Sequence, residues 1–304
     1  MSERVASRVA SPRDWIALTR PRQWSKNLLL YAAFFFTAGD AWDDLADALP
    51  LLARATLGFL AFCALSAAGY ALNDVRDAEL DGRHPRKRQR PVAAGRIEEA
   101  AALRAAYILV AVGLVLSLPL GWWFAAAALG YLAGTFGYSA ALKRLPVVDV
   151  VSVAGLFALR ALAGALAIEV DASLWILVCT FAGALFVVSV KRQQEQWLLG
   201  AEAGAHRETL DARSRWPRWL VALSGSATVG LYVQYTLSAP NLPDDGSMTW
   251  LTAPFVLAAV ARYYAVARAH PERDAEEIAF RDPVTLMLVV GFVAAAVGRL
   301  LSAG

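Results

Sequence analysis

A chain of 304 residues that is 58% hydrophobic and 18% charged, with a mean hydropathy of +0.45, is too apolar throughout for an ordinary soluble domain. The formal net charge of +3 would suit nucleic acid only if its basic residues faced water broadly; on a chain this apolar they point to anionic headgroups or a phosphorylated substrate. Cys63 and Cys179 lie inside apolar runs and His84, His206 and His270 are scattered, which excludes a disulfide framework and argues against a histidine metal site.

Residues 1–26 are polar and arginine-rich, unlike a cleavable signal peptide, and predict an amphipathic arm on the cytoplasmic surface. Nine apolar runs follow, at 27–42, 50–72, 100–118, 122–141, 147–168, 173–190, 217–238, 249–267 and 284–302. Runs of about 17–25 residues can cross a bilayer, although the first is short. The expectation is an all-α polytopic membrane protein of about nine transmembrane helices, forming one integral-membrane domain over 1–304. Two polar stretches are long, 73–99 and 191–216. They follow the second and sixth runs, a spacing that hints at duplication, with little residue identity between the halves.

Alternating the loops between the two sides puts 26 of the 29 Lys and Arg on one side, with Arg54, Arg160 and Arg299 the exceptions. The opposite loops are short and acidic: Asp40, Asp43, Asp44 and Asp47; Glu169 and Asp171; Asp244 and Asp245. The positive-inside rule then puts the N-terminus in the cytoplasm and the C-terminus outside a plasma membrane.

The densest charge follows the second run, in NDVRDAELDGRHPRKRQRP, residues 73–91. On a continuing helix, four residues leave about 40° of drift, so Asn73, Asp77 and Asp81 share a face, Asp74 lies at its edge and Glu79 points away. Carboxylates so close repel unless a cation sits between them. Mg²⁺ suits such hard oxygen donors and commonly bridges to substrate phosphates. Arg83, Arg86, Lys87, Arg88 and Arg90 follow and could hold the rest of a polyphosphate. A solvated helix end with a basic anchor is the plain alternative.

Asp149 stands at the start of the fifth run and Arg160 lies 11 residues deeper, on the same face and about 16 Å away. They cannot pair directly, so each needs another partner or a wet cavity. Charges inside a span cost about 2.5–3.5 kcal/mol on insertion scales, which makes them functional candidates; a buried ion pair with another helix is the competing reading. After the sixth run, VKRQQEQ sets Lys191 and Glu195 one turn apart with Arg192 beside them, either an anion site or an i,i+4 pair with a basic anchor. RPRQWSKN places Arg20, Arg22 and Lys26 around Trp24, and YSAALKRLP places Tyr138, Lys143 and Arg144 between the fourth and fifth runs. A transporter with Asp149, Arg160 and the carboxylates along an ion path stays open, although transporters usually bind at the midplane and most charge here sits at one surface.

NDVRDAELD resembles the first aspartate-rich motif, N-D-x-x-D-x-x-x-D, of the UbiA-superfamily membrane prenyltransferases, and YSAALKR looks like that family's tyrosine-to-lysine stretch. The resemblance covers the whole chain. It implies nine membrane helices, a UbiA-like bundle with an active site under two cytoplasmic cap loops, and Mg²⁺ held by Asn73, Asp77 and Asp81. One departure is informative: the second aspartate-rich motif, usual after the sixth helix, is replaced by KRQQE. That pattern, with TRPRQWSKNLLLYAAFFF, KRQRPVAAG and AEEIAFRDP, resembles a branch serving actinobacterial cell-wall arabinan synthesis. Its donor is 5-phosphoribosyl 1-diphosphate (PRPP) and its acceptor a polyprenyl (decaprenyl) phosphate. The resemblance implies that Lys26, Asp74, Arg83, Lys87, Arg88, Arg90, Tyr138, Lys143, Asp149, Arg160, Lys191, Arg192 and Glu195 serve the two phosphorylated substrates, in an order the sequence leaves open. A prenyl diphosphate donor is the alternative within the family. Partners beyond substrates and membrane lipids, including a homo-oligomer, are left open, and nucleic acid is not expected.

Overall fold

The computed structural model describes residues 10–83, 87–199, 214–238 and 248–301. Arg86, His84, His206, Asp244 and Asp245 lie outside them, as does most of the stretch after residue 199. Among the described residues every regular element is helical.

Helix α1, Pro12–Thr19, begins with a capping box in which Ser11 and Asp14 satisfy each other's backbone N–H. It stops at Arg20, whose φ of 49° is left-handed; Pro21 follows, and the residue before a proline is kept out of the α region. The chain then winds as a 3-10 helix, Pro21–Tyr31, and a short α2, Ala32–Phe36. The expected first span is therefore not an α-helix. A period of three puts Asn27, Leu30 and Ala33 on one buried side, a stripe that an α-helix would rotate away. At about 2.0 Å per residue for the 3-10 part and about 1.5 Å for α2, the segment still reaches about 30 Å, the thickness of a bilayer core.

Helix α3 runs from Leu45 to Arg76, capped at its start by Asp44, which accepts from Ala46 N and Asp47 N at 2.8 and 3.0 Å. Its 32 residues span about 48 Å, so it crosses a bilayer and carries its last turn beyond. A short α4, Ala78–Arg83, continues it. Then come α5 (Glu99–Ser117), α6 (Trp122–Ala140), α7 (Val148–Ala167), α8 (Leu174–Leu199), α9 (Trp216–Ser238), α10 (Ala253–Ala269), α11 (Ala275–Arg281) and α12 (Pro283–Leu301). The polar stretch expected as a loop from residue 191 is still helix to Leu199, because its Lys, Arg, Gln, Glu and Leu all favour helix and nothing before Gly200 breaks it.

Five helices are long and apolar enough to cross a membrane by length and composition: Leu45–Arg76, Glu99–Leu120, Val148–Ala167, Leu174–Leu198 and Trp250–Ala269. In the most apolar window of α5 only 22% of residues are buried in the protein. Tyr107, Ile108, Val115, Trp122, Trp123 and Leu174 all stand exposed. An apolar exterior of this extent is a lipid-facing surface.

Neighbouring helices pack in a ring: α3 on α5 and α6, α6 on α7, α7 on α8, α8 on α9, α9 on α10, α10 on α12, and α12 back on α2. Phe62, Leu65, Phe124, Tyr131 and Leu30 fill the centre of one half; Phe186, Val190, Tyr263 and Ile278 fill the other. Small residues allow close approach. A Cβ on Gly164 would sit 2.2 Å from the Leu30 carbonyl oxygen, so α7 lies directly against the 3-10 backbone.

Candidate functional site

The first polar stretch with the α6–α7 connection, and the end of α8 with the turn before α11, carry two charged clusters. Helix α3 ends at Asp77, whose φ of −98° and ψ of 8° leave the helix. Helical hydrogen bonding nonetheless carries across the break, Asp77 N to Asn73 O at 2.9 Å and Asp81 N to Asp77 O at 2.8 Å. Asn73, Asp77 and Asp81 thus stay in register. Glu79 is 85% exposed and accepts from Arg83 at 2.6 Å, so that pair stands outside; Arg83 was expected at the substrate.

Each carboxylate meets cations. Asp81, almost fully buried, bonds Arg90 and lies 3.9 Å from Lys87. Asp77, about a third exposed, has Lys143 at 4.0 Å. Asp74 does not lie at the open edge of the set: it is 1% exposed, under Arg20 and Arg90, and so cannot touch a substrate directly. Arg88 is exposed on the short 3-10 turn Lys87–Gln89. Arg20 was missed as a site residue because in the sequence it is one more arginine of the basic arm.

Asn73, Asp77 and Asp81 offer only hard oxygen donors, which suit Mg²⁺. Among the described residues no three His, Cys, Asp or Glu side chains converge as a ready metal cage.

The second cluster joins α6, α7 and α8. Asp149 is 0% and Arg192 5% exposed. The guanidinium grips the carboxylate in a fork, Nε to Oδ2 at 2.6 Å and Nη2 to Oδ1 at 3.1 Å. Tyr138 adds its hydroxyl to Asp149 at 2.8 Å, and Arg192 also bonds Glu195 at 2.9 Å. Lys191 and Glu195, one turn apart, are drawn to different partners. Lys191 lies 3.8 Å from Asp274, and Glu195 is bonded by the buried arginine three residues before it. Asp149, Tyr138 and Arg192 thus bond one another and form a wall between α6, α7 and α8. Val147, which precedes α7, has a φ of 66°. This is a strained position for a β-branched residue, between Lys143 and Asp149.

Arg160 and Asp149 indeed find separate partners. Arg160 is buried among neutral groups: Nε donates to Asn27 Oδ1 at 2.9 Å, Nη2 to the Tyr131 hydroxyl at 2.8 Å and Nη1 to the Leu156 carbonyl at 3.1 Å. Its guanidinium also lies over the rings of Tyr131 and Phe157. This ties α7 to the 3-10 segment. Lys26 stands on that segment and bonds Gln23.

A lipid-exposed helical ring with two charged clusters at helix ends defines an integral membrane protein with an interfacial site. The chain belongs to the UbiA prenyltransferase family, whose pattern it matches over residues 27–298. It is 32% identical to decaprenyl-phosphate phosphoribosyltransferase of Mycolicibacterium smegmatis, over 96% of this chain and 95% of that one. It is 33% identical to the Mycobacterium tuberculosis protein of the same name, over 90% of each. Its fold is similar to that of a UbiA homolog from Archaeoglobus fulgidus, solved with GPP and Mg²⁺, at a TM-score of 0.68 and 20% identity, covering 95% of this chain and 99% of that one.

Proposed function

We propose that the protein transfers 5-phosphoribose from PRPP to a polyprenyl phosphate and releases diphosphate, to feed cell-wall arabinan synthesis. The observation that carries this reading is the end of α8. Arg192 is committed to Asp149 and Glu195, so this end lacks the paired carboxylates that would grip a second metal–diphosphate group. It presents half-exposed Lys191 instead. The names of the relatives at 32% and 33% identity support the same reading.

In this reading Asn73, Asp77 and Asp81 hold Mg²⁺. Bound there, the ion would supply charge neutralisation for the leaving diphosphate. Lys87 and Arg90 beside Asp81, and Lys143 beside Asp77, orient the same diphosphate. Lys191, Lys26 and Arg88 are left for the ribose phosphate and the lipid phosphate. Cleavage of the C1–O bond builds positive charge on the ribose, which an anionic acceptor meets directly. That acceptor is already deprotonated, so no strong base is needed, and none is assigned. The Tyr138–Asp149–Arg192 wall orients α8 rather than moving a proton. The polyprenyl tail lies along the helices in the bilayer. In this reading nine spans and the one-sided Lys and Arg bias put the N-terminus and both polar stretches in the cytoplasm, where PRPP is available.

The test is purified protein in lipid nanodiscs with labelled PRPP. Diphosphate should be released only when polyprenyl phosphate and Mg²⁺ are both present. Tight binding of a prenyl diphosphate with no detectable PRPP binding would sink the reading in favour of an ordinary prenyltransferase.

A further inference from the structure

The N-terminal arm reaches the carboxylate end of the site through one side chain. Arg20 Nη2 bonds Asp74 Oδ1, and Arg90 Nη1 lies 3.3 Å from the same oxygen while also bonding Asp81. One buried carboxylate therefore holds two guanidinium groups, from two segments that are 70 residues apart in sequence. Because Arg90 is shared with Asp81, Arg20 is the guanidinium whose carboxylate contact is with Asp74 alone. An arginine has five N–H donors in a fork that matches phosphate oxygens. Arg20 spends only Nη2 on Asp74, with its guanidinium otherwise lying over the Tyr70 ring at 5.0 Å, and it remains a quarter exposed.

The backbone behind Arg20 is fixed on both sides. Leu18 is packed among Ala71, Val92 and Ile97. Asp14 bonds Arg96 at 2.6 Å, and Trp24 Nε1 donates to the Thr19 carbonyl at 3.1 Å. The left-handed turn at Arg20 then swings its side chain back over the end of α3. None of this suits a mere membrane anchor, whose arginines would fan toward headgroups.

We propose that Asp74 is a positioning residue that orders Arg20 and Arg90 for the donor's diphosphate, and that the N-terminal arm thereby supplies Arg20 as a binding residue. It differs in role from Asp77 and Asp81, which the proposed function assigns to Mg²⁺. The inference rests on the proposed reaction only in needing a diphosphate-bearing donor.

Binding of inorganic diphosphate with Mg²⁺ to the full chain in nanodiscs, followed by calorimetry, isolates it from donor identity. Arg20→Ala and Asp74→Asn should each weaken diphosphate binding at least tenfold and raise the KM for PRPP more than they lower kcat. Half-activation by Mg²⁺ should stay within twofold of wild type, whereas Asp77→Asn shifts it. The effect of Arg20→Ala should shrink at least threefold in an Asp74→Asn background, because both changes disable the same guanidinium. Arg20→Lys should recover part of the affinity as a point charge. If Asp74→Asn does not fold, the partly exposed Arg20 variants still decide the matter. An Arg20→Ala protein with wild-type diphosphate affinity overturns the proposal, as does an Asp74→Asn protein whose Mg²⁺ requirement shifts like that of Asp77→Asn. Wild type that binds diphosphate but not PRPP, with the Arg20 effect intact, refutes the donor assignment and leaves this inference standing. Wild type that binds no diphosphate overturns both.

Discussion

Asp149→Asn keeps the shape of the side chain and removes its charge. In the native protein that carboxylate accepts from Arg192 at 2.6 and 3.1 Å and from Tyr138 at 2.8 Å. The amide can accept fewer of these bonds, and its NH₂ must face a guanidinium that only donates. Arg192 is 5% exposed, so water cannot take over, and Glu195 is left as its remaining carboxylate. Removing one partner of a buried pair costs about 3–5 kcal/mol because the other charge stays behind. We therefore expect Asp149→Asn to lower the folding equilibrium by about two to nearly four decades at about 1.4 kcal/mol per decade. The assay is equilibrium unfolding in mixed micelles, with Arg192→Gln and the double variant completing a cycle. The double variant should be more stable than the sum of the single losses predicts, since it leaves no buried charge unpaired. A single variant within about 1 kcal/mol of wild type, or a cycle that adds simply, would refute the claim that this pair welds α7 to α8.

Asp77→Asn and Asp81→Asn should each cut turnover by at least about two decades, in line with loss of electrostatic stabilisation at a reacting group; Glu79→Gln, on the exposed Glu79–Arg83 pair, should stay near wild type, and an equal loss there would break the shared-face argument. With the native cysteines replaced, a thiol at Arg88 should resist a membrane-impermeant reagent in intact cells while one at Asp43 reacts; the reverse pattern would invert the topology. Arg262 and Thr285 donate to Asp282 and hold its carboxyl well below the usual carboxylate range. A depressed folded-state value means that its stabilising contribution is fully present above about pH 4 and is lost as the pH falls below that. Thermal denaturation from pH 7 down to pH 3 should show this acid-side loss, and Asp282→Asn should flatten it while lowering stability at pH 7.

The parts of the molecule that rest on local periodicity were legible in the sequence. Apolar run length located α3 and the helices after it, and four-residue spacing put Asn73, Asp77 and Asp81 in register even though the helix breaks at Asp77. The separation of Asp149 and Arg160 correctly required two sets of partners. What was hidden depends on contacts between distant segments. Arg20 looks like any positive-inside arginine until Asp74, 54 residues away, is seen beneath it. Lys191 and Glu195 have ideal helix spacing, yet Arg192 and Asp274 take them in opposite directions. The 3-10 winding of Pro21–Tyr31 follows from the fit of Asn27 and Leu30 against α7 rather than from residue propensities, which would favour an α-helix.

The family match begins at residue 27, just beyond the tight turn at Arg20. A protein trimmed to that boundary would retain, among the described residues, each of the eight helices of 17 or more residues. It would lose the Leu18 plug seated on Ala71, Val92 and Ile97, the Asp14 tether to Arg96 and the guanidinium above Asp74. The span matched by the family pattern and the unit defined by packing thus differ by one arm. A fragment cut to the matched span would keep the scaffold in the bilayer and leave Asp74 with Arg90 alone.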